Sequence, residues 1–333
     1  MPSTPRRLVT YSPAITLVPT YECFNRCQYC NFRVDPGQDV WLSENDARAQ
    51  LQKARSQGAI EALILSGEVH PASTRRAPWL QHIYRLCELA LAIGLLPHTN
   101  VGPLSREEMA QLQQVNVSMG LMVEQVTPRL LQGVHRHAPS KDPDLRLEQL
   151  EQAGRLGIPF TTGLLLGIGE TVANQDDTLT AIACCHHRWG HIQEVILQPY
   201  QPGHQDTHEP MGYGAAALVA AIARARALLP DDITLQVPPN LLSSSQFLIA
   251  ALAAGARDLG GIGPIDEVNP DHPHPTIAAL AQDLDAAGWQ IQPRLPVYPA
   301  YDGWLNPALG QRVRQWRQHI ATKTSEVLKT SEV

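Results

Sequence analysis

Short apolar runs and longer helix-periodic segments alternate along most of this chain. Residues 14–19, Ala-Ile-Thr-Leu-Val-Pro, read as a short buried strand. Ser43 caps a helix running to about residue 56, with Asp46 in its first turn and Gly58 as its stop. Further strands are predicted at 60–65, 95–100, 115–124, 158–166, 194–198, 233–237 and 257–260. Helices fill the intervals at 79–93, 105–114, 145–156, 171–189, 215–229, 245–254 and 276–287. Ser105 and Glu108 stand at the spacing of a capping box.

Strands separated by helices at this rhythm pair in parallel, and eight such units predict an α/β fold, a closed (β/α)8 TIM-type barrel. In such barrels the site lies at the C-terminal ends of the strands. The barrel is expected over residues 9–288. A short C-terminal extension, 289–322, offers one more strand at 289–295 and a terminal helix at 306–322. The tail 323–333 nearly repeats Lys-Thr-Ser-Glu-Val, carries little apolar content and is expected to be disordered.

Composition narrows the classes. Of 333 residues, 44% are hydrophobic, which suffices for a full core. The net charge of −6 and the lack of a basic stripe with interleaved aromatics argue against nucleic acid as a partner. No apolar run approaches a membrane span, and 14–19 is too short for a signal-peptide core. A cytoplasmic location is expected, where thiols stay reduced.

Three of the six cysteines, Cys23, Cys27 and Cys30, lie together as C-x3-C-x2-C directly after the first strand. Three thiolates from one tight loop do not complete a structural zinc site, which needs four ligands. They can hold an iron–sulfur cluster with one iron left for a ligand that is not protein. A zinc knuckle would need a fourth ligand from Cys87, Cys184, Cys185 or a histidine. Ser66-Gly67-Glu68 ends the second strand, where a plain turn is the competing reading. Residues 163–171 place three glycines around an apolar run that closes strand five. A phosphate-binding loop is the rival there, but no lysine accompanies it. Glu124 ends strand four, with a rim salt bridge as its ordinary role. Arg146 follows on the next helix, with a solvated helix face as its ordinary role. His70, His98, Asn100, Gln198 and Asn240 also fall at strand ends and could hold a hydroxyl-rich substrate. Asp266, in the last mouth loop, is a substrate contact or a helix cap. Cys184 and Cys185 read as core packing, and His186 and His187 as surface.

The segment 21–32, Tyr-Glu-Cys-Phe-Asn-Arg-Cys-Gln-Tyr-Cys-Asn-Phe, resembles the signature of the radical S-adenosylmethionine (SAM) enzymes. With 65–71, 97–104, 117–124, 134–141, 196–200 and 258–264, the chain from 9 to about 273 resembles the CofG-type family of 7,8-didemethyl-8-hydroxy-5-deazariboflavin (FO) synthases. The resemblance implies one [4Fe-4S] cluster on Cys23, Cys27 and Cys30, with SAM on its free iron. It implies SAM contacts from Tyr29, Ser66, Gly67, Glu68, Glu124, Arg146 and Gly167. Ser66 replaces the first glycine of the family's Gly-Gly-Glu motif. The implied reaction cyclises a tyrosine–ribitylaminouracil adduct to FO, with loss of ammonia and with SAM cleaved to methionine and 5′-deoxyadenosine. A CofH-type radical SAM enzyme would supply the adduct, and an external donor the electrons. Three rivals are the CofH-type reaction itself or a menaquinone-pathway relative, a biotin-synthase-like sulfur inserter, and a non-catalytic zinc-stabilised binding protein.

Overall fold

A computed structural model describes residues 7–206 and 211–330, apart from the side chains of 323–330. The eight strands of the barrel are β1 (Arg7–Leu17), β2 (Glu61–Leu65), β3 (Leu96–Asn100), β4 (Ser118–Gly120), β5 (Phe160–Leu166), β6 (Ile192–Pro199), β7 (Thr234–Gln236) and β8 (Asp258–Ile262). They pair in parallel in chain order, and β1 closes the ring by pairing with both β8 and β2. A ninth strand, β9 (Trp289–Pro293), adds to β1 outside the ring.

Helices α1 (Glu44–Ser56), α2 (Arg76–Ile93), α3 (Arg106–Gln113), α4 (Pro143–Leu156), α5 (Val172–Trp189), α6 (Ala215–Leu228), α7 (Ser245–Ala254) and α8 (Ile277–Ala286) connect successive strands. Their ends follow local chemistry. The Ser43 side chain accepts the Asp46 N–H ahead of α1. Ser105 and Glu108 complete both halves of the capping box of α3. Gly94, Gly157 and Gly190 stop α2, α4 and α5 in left-handed backbone. The main core fills the space between ring and helices, from Val9 and Leu17 on β1 to Leu280 and Leu284 on α8. No helix among the described residues is long and apolar enough to cross a membrane.

Several boundaries differ from the sequence reading. β1 begins at Arg7 rather than residue 14. Its second half, Ala14–Leu17, is the apolar run and pairs with β2. Its first half, Arg7–Tyr11, pairs with β9, a partner 282 residues later in the chain that local periodicity does not announce. β4 is three residues long, not ten, although the apolar positions around it are buried. The terminal helix, α9 (Pro307–Thr330), continues eight residues past the expected 322 into the stretch read as tail, whose last three residues lie outside the described ones.

The extension packs against the bottom of the ring. Leu295, Val297, Tyr301, Leu309, Val313 and Trp316 form a second apolar cluster with Ile60 and Val117, just before β2 and β4, and Leu96, the first residue of β3. Arg294 reaches inward, donating to both oxygens of Asp258 at 2.6 and 2.7 Å and to Glu194 at 2.8 Å. The N-terminal end of the barrel is thereby floored, and the opposite end is left open.

Candidate active site

The loop after β1 carries the three cysteines across the open end. Its backbone is tied to two neighbouring connections. Phe24 N–H donates to the Glu68 carbonyl at 3.0 Å, and Arg26 N–H to the His137 carbonyl at 2.7 Å. Asn25 links the same two connections through its side chain, donating to Glu68 at 2.8 Å and to Ser140 at 2.7 Å. Gly67 makes the crossing possible. A Cβ at this position would stand 2.1 Å from the Glu22 carbonyl oxygen. Its glycine is thus required by the cysteine loop's own backbone, a nearer cause than the approach of a ligand.

Cys23, Cys27 and Cys30 all line one cavity of about 350 Å³, within the range of small-molecule sites. Burial pushes the Cys23 thiol up to about 11 and the Cys27 thiol up to about 12, with Lys141 pulling the latter down. As free thiols they stay protonated, and metal would have to displace those protons. The donor set, three sulfurs on one loop facing one cavity, fits the open cluster the sequence implies. Among the described residues no three His, Cys, Asp or Glu side chains are already drawn together to ligating distance. Side-chain rotation would have to accompany loading. Cys87, Cys184 and Cys185 sit on α2 and α5, away from this cavity.

A ring of charge surrounds the thiols. Arg146 is 1% exposed. It donates to the carbonyls of Ser140 (2.9 Å) and Met122 (2.5 Å) and to Glu68 (3.3 Å). The solvated-face reading of Arg146 is therefore overturned. Glu124 has φ +65°, the one non-glycine in left-handed backbone among the described residues, and meets Lys141 at 2.5 Å. Burial raises its pKa, but Lys141 and Arg146 outweigh that and hold it below the usual carboxylate range. Tyr29 hydrogen-bonds His135 at 2.9 Å. Burial, reinforced by Lys141, lowers the imidazole to about 3, so it is neutral. The Ser66 hydroxyl is committed to the Gly67 carbonyl (2.8 Å) and the Trp79 indole (3.0 Å).

Of the sequence-predicted residues, Cys23, Cys27, Cys30, Tyr29, Ser66, Gly67, Glu68, Glu124 and Arg146 line the cavity. So do His98, Asn100, Gln198 and Asp266. Gly167, His70 and Asn240 do not. Gly167 has φ +96° with Tyr213 where a side chain would stand, and its N–H, like that of Ile168, donates to Glu170. Glu170 thus fills the loop's amides, which removes the phosphate-loop reading. His70 is exposed and accepts the Ala72 N–H. Asn240 holds Asp266 at 2.8 Å from behind. Away from the site, Cys184 is exposed rather than core, and His186 is buried against Asp232 rather than on the surface.

Sequence reasoning missed Lys141, Asn25, Ser140 and His135. All but Asn25 fall in the irregular connection before α4, where no periodicity ranks one polar residue above another. Glu61, Glu194 and Arg294 were missed at the other end of the cavity.

The Radical SAM superfamily profile matches residues 17–182. A 7,8-didemethyl-8-hydroxy-5-deazariboflavin synthase of Trichodesmium erythraeum is 60% identical over 311 residues, 93% of this chain and 98% of that one. One of Gloeobacter violaceus is 57% identical over 309 residues, 92% of this chain and 96% of that one. Among solved structures, the FeFe-hydrogenase maturase HydG from Carboxydothermus hydrogenoformans has TM-score 0.73 at 17% identity, covering 93% of this chain and 77% of that one. Methylornithine synthase (PylB) has TM-score 0.63 at 15% identity, covering 86% of this chain and 84% of that one. These two show the barrel alone, whereas the identity of the former pair extends over nearly the full length. The chain belongs to the radical SAM superfamily and, within it, to the 7,8-didemethyl-8-hydroxy-5-deazariboflavin synthase family.

Proposed function

We propose that this radical SAM enzyme of deazaflavin biosynthesis performs the cyclising step. Its substrate would be 5-amino-5-(4-hydroxybenzyl)-6-(D-ribitylimino)-5,6-dihydrouracil, closed to FO with loss of ammonia. The observation that carries this reading is one continuous cavity joining the three cysteines to a polar barrel interior. When bound, one cluster and SAM supply hydrogen abstraction, with methionine and 5′-deoxyadenosine as the SAM products.

The chain's own residues bind and orient. Cys23, Cys27 and Cys30 would hold the cluster. Arg146 and Lys141 bring two cations to the mouth, suited to the SAM carboxylate. Glu68 and Glu124 suit its ammonium or ribose hydroxyls. Asn100, Gln198 and Asp266 offer donors and acceptors to the pyrimidine edge. Leu63, Leu65, Leu165 and Ile196 form apolar wall that excludes water. Residues 9–288 are read as the catalytic unit and 289–322 as its floor. The adduct would come from a CofH-type enzyme and the electrons from an external donor. A single cluster is supported by the distance of the other cysteines from the cavity. This also disfavours the sulfur-inserting rival, which needs a second one.

The test is anaerobic reconstitution with iron and sulfide, followed by SAM, a reductant and the adduct. 5′-Deoxyadenosine and FO fluorescence should rise together. Replacing any of Cys23, Cys27 or Cys30 by Ala should abolish both while leaving far-UV circular dichroism intact. Deoxyadenosine without FO would move the substrate to a neighbouring pathway. SAM turnover by a cysteine variant would refute the ligand assignment.

A further inference from the structure

The cavity does not end below the SAM residues. It descends the barrel from Leu65 to Glu61 on β2, from Asn100 to His98 on β3 and from Gln198 to Glu194 on β6, and ends on Arg294 of the extension. The reaction at the mouth uses none of these deeper groups.

Two features define the chemistry of that base. The first is a cation whose donors are already taken. Glu61, Glu194 and Asp258 face one guanidinium, and four hydrogen bonds from Arg294 are already committed, to Asp258 twice, to Glu194 and to the Leu295 carbonyl. A guanidinium has five N–H donors, so little of it remains for an incoming anion. The second feature is a directed acceptor. Ser118 Oγ donates to the Pro296 carbonyl at 2.7 Å, so toward His98 Nδ1, 2.6 Å away, it can only accept. Burial, with Arg294 adding to it, lowers His98 to about 3, so the ring is neutral. Its one proton is therefore on Nδ1, and Nε2 is a lone-pair acceptor with no partner among the described residues.

We propose that the base of this cavity receives an uncharged, hydroxyl-bearing chain of the substrate, that His98 Nε2 accepts one of its hydroxyls, and that a chain ending in phosphate is excluded because the one cation there already has its donors taken. The inference rests on the proposed cyclisation, whose ribityl group is such a chain. It adds a specificity determinant at the end of the barrel remote from the cluster. It also implies that the reaction supplying this substrate must act on, or produce, the dephosphorylated polyol.

The test compares adducts that differ only in the chain: ribityl, ribityl lacking each hydroxyl in turn, and ribityl 5-phosphate. The wild-type enzyme should show KM about tenfold higher for one of the deoxy adducts and about a hundredfold higher for the phosphate, with kcat little changed. In His98→Leu, KM for the ribityl adduct should rise about tenfold and discrimination against that deoxy adduct should vanish, while SAM binding stays as in wild type. A merely structural role would lower activity toward all chains alike and keep the discrimination, overturning the proposal. Equal wild-type KM for ribityl and phosphate chains would overturn it as well. Should His98→Leu fail to fold, the wild-type chain series decides alone. Absence of FO from the ribityl adduct with wild type would instead sink the cyclisation reading and this inference with it. FO formation with no chain preference would sink this inference only.

Discussion

Gly67 shows how one residue's identity is set by a neighbour far away in sequence. Its missing side chain lets the cysteine loop pass, with the Glu22 carbonyl where a methyl would be. Gly67→Ala should strain both segments by about 1–3 kcal/mol. It should also displace the loop, so that iron bound after reconstitution falls severalfold. Urea unfolding of the apo protein and iron content per chain would check this, and unchanged values of both would refute the crossing as the reason for glycine. The cysteines themselves were legible because their spacing is local. The residues that tie the loop down were not. Asn25 meets Ser140 from 115 positions away, and no pattern within either segment encodes that meeting.

At the level of elements, what is local was again what could be read. The caps at Ser43 and Ser105 and the glycine stops of α2 and α4 follow from side chains within four residues of the helix end. The extents of β1 and β4 depend on partners and escaped. The α3 cap gives an ordered expectation. Ser105→Ala loses one cap and should cost about 1 kcal/mol. Glu108→Ala should cost more, because Glu108 also receives a fork from the mostly buried Arg76 on α2, at 2.7 Å through each oxygen. Urea midpoints rank the two, and an equal loss would mean that the fork contributes nothing beyond the cap.

Across the whole molecule the buried ionisable groups set a pH dependence. Burial holds His98 and His135 near 3 and His191 near 4 in the folded chain. Unfolded, each takes a proton below about pH 6.5. The unfolded state thus binds more protons in that window, and stability falls as pH drops below it. Glu61 and Glu194 act oppositely, since burial raises them and keeps protons on the folded chain. Even with both acids fully protonated the three histidines outnumber them, so the unfolded state binds more protons and stability should rise with pH between about pH 5 and 6. Urea midpoints across that interval check this, and a flat profile would show that the two sets cancel. The eightfold alternation made the barrel itself legible, because each unit repeats the same local signal. The floor built by the extension was not, since Arg294 looks like an ordinary surface arginine until β9 brings it under the ring.

The pairing of β1 has a consequence in time as well as space. β1 is soon joined on one side by β2, but its other partners, β8 and β9, follow only after five more strands have been made. The loop that presents the thiols therefore hangs from a half-paired strand until β8 emerges, and the ring cannot close before then. Iron met before then would find three thiols with no closed cavity around them, since residues from β8 and the extension also line it.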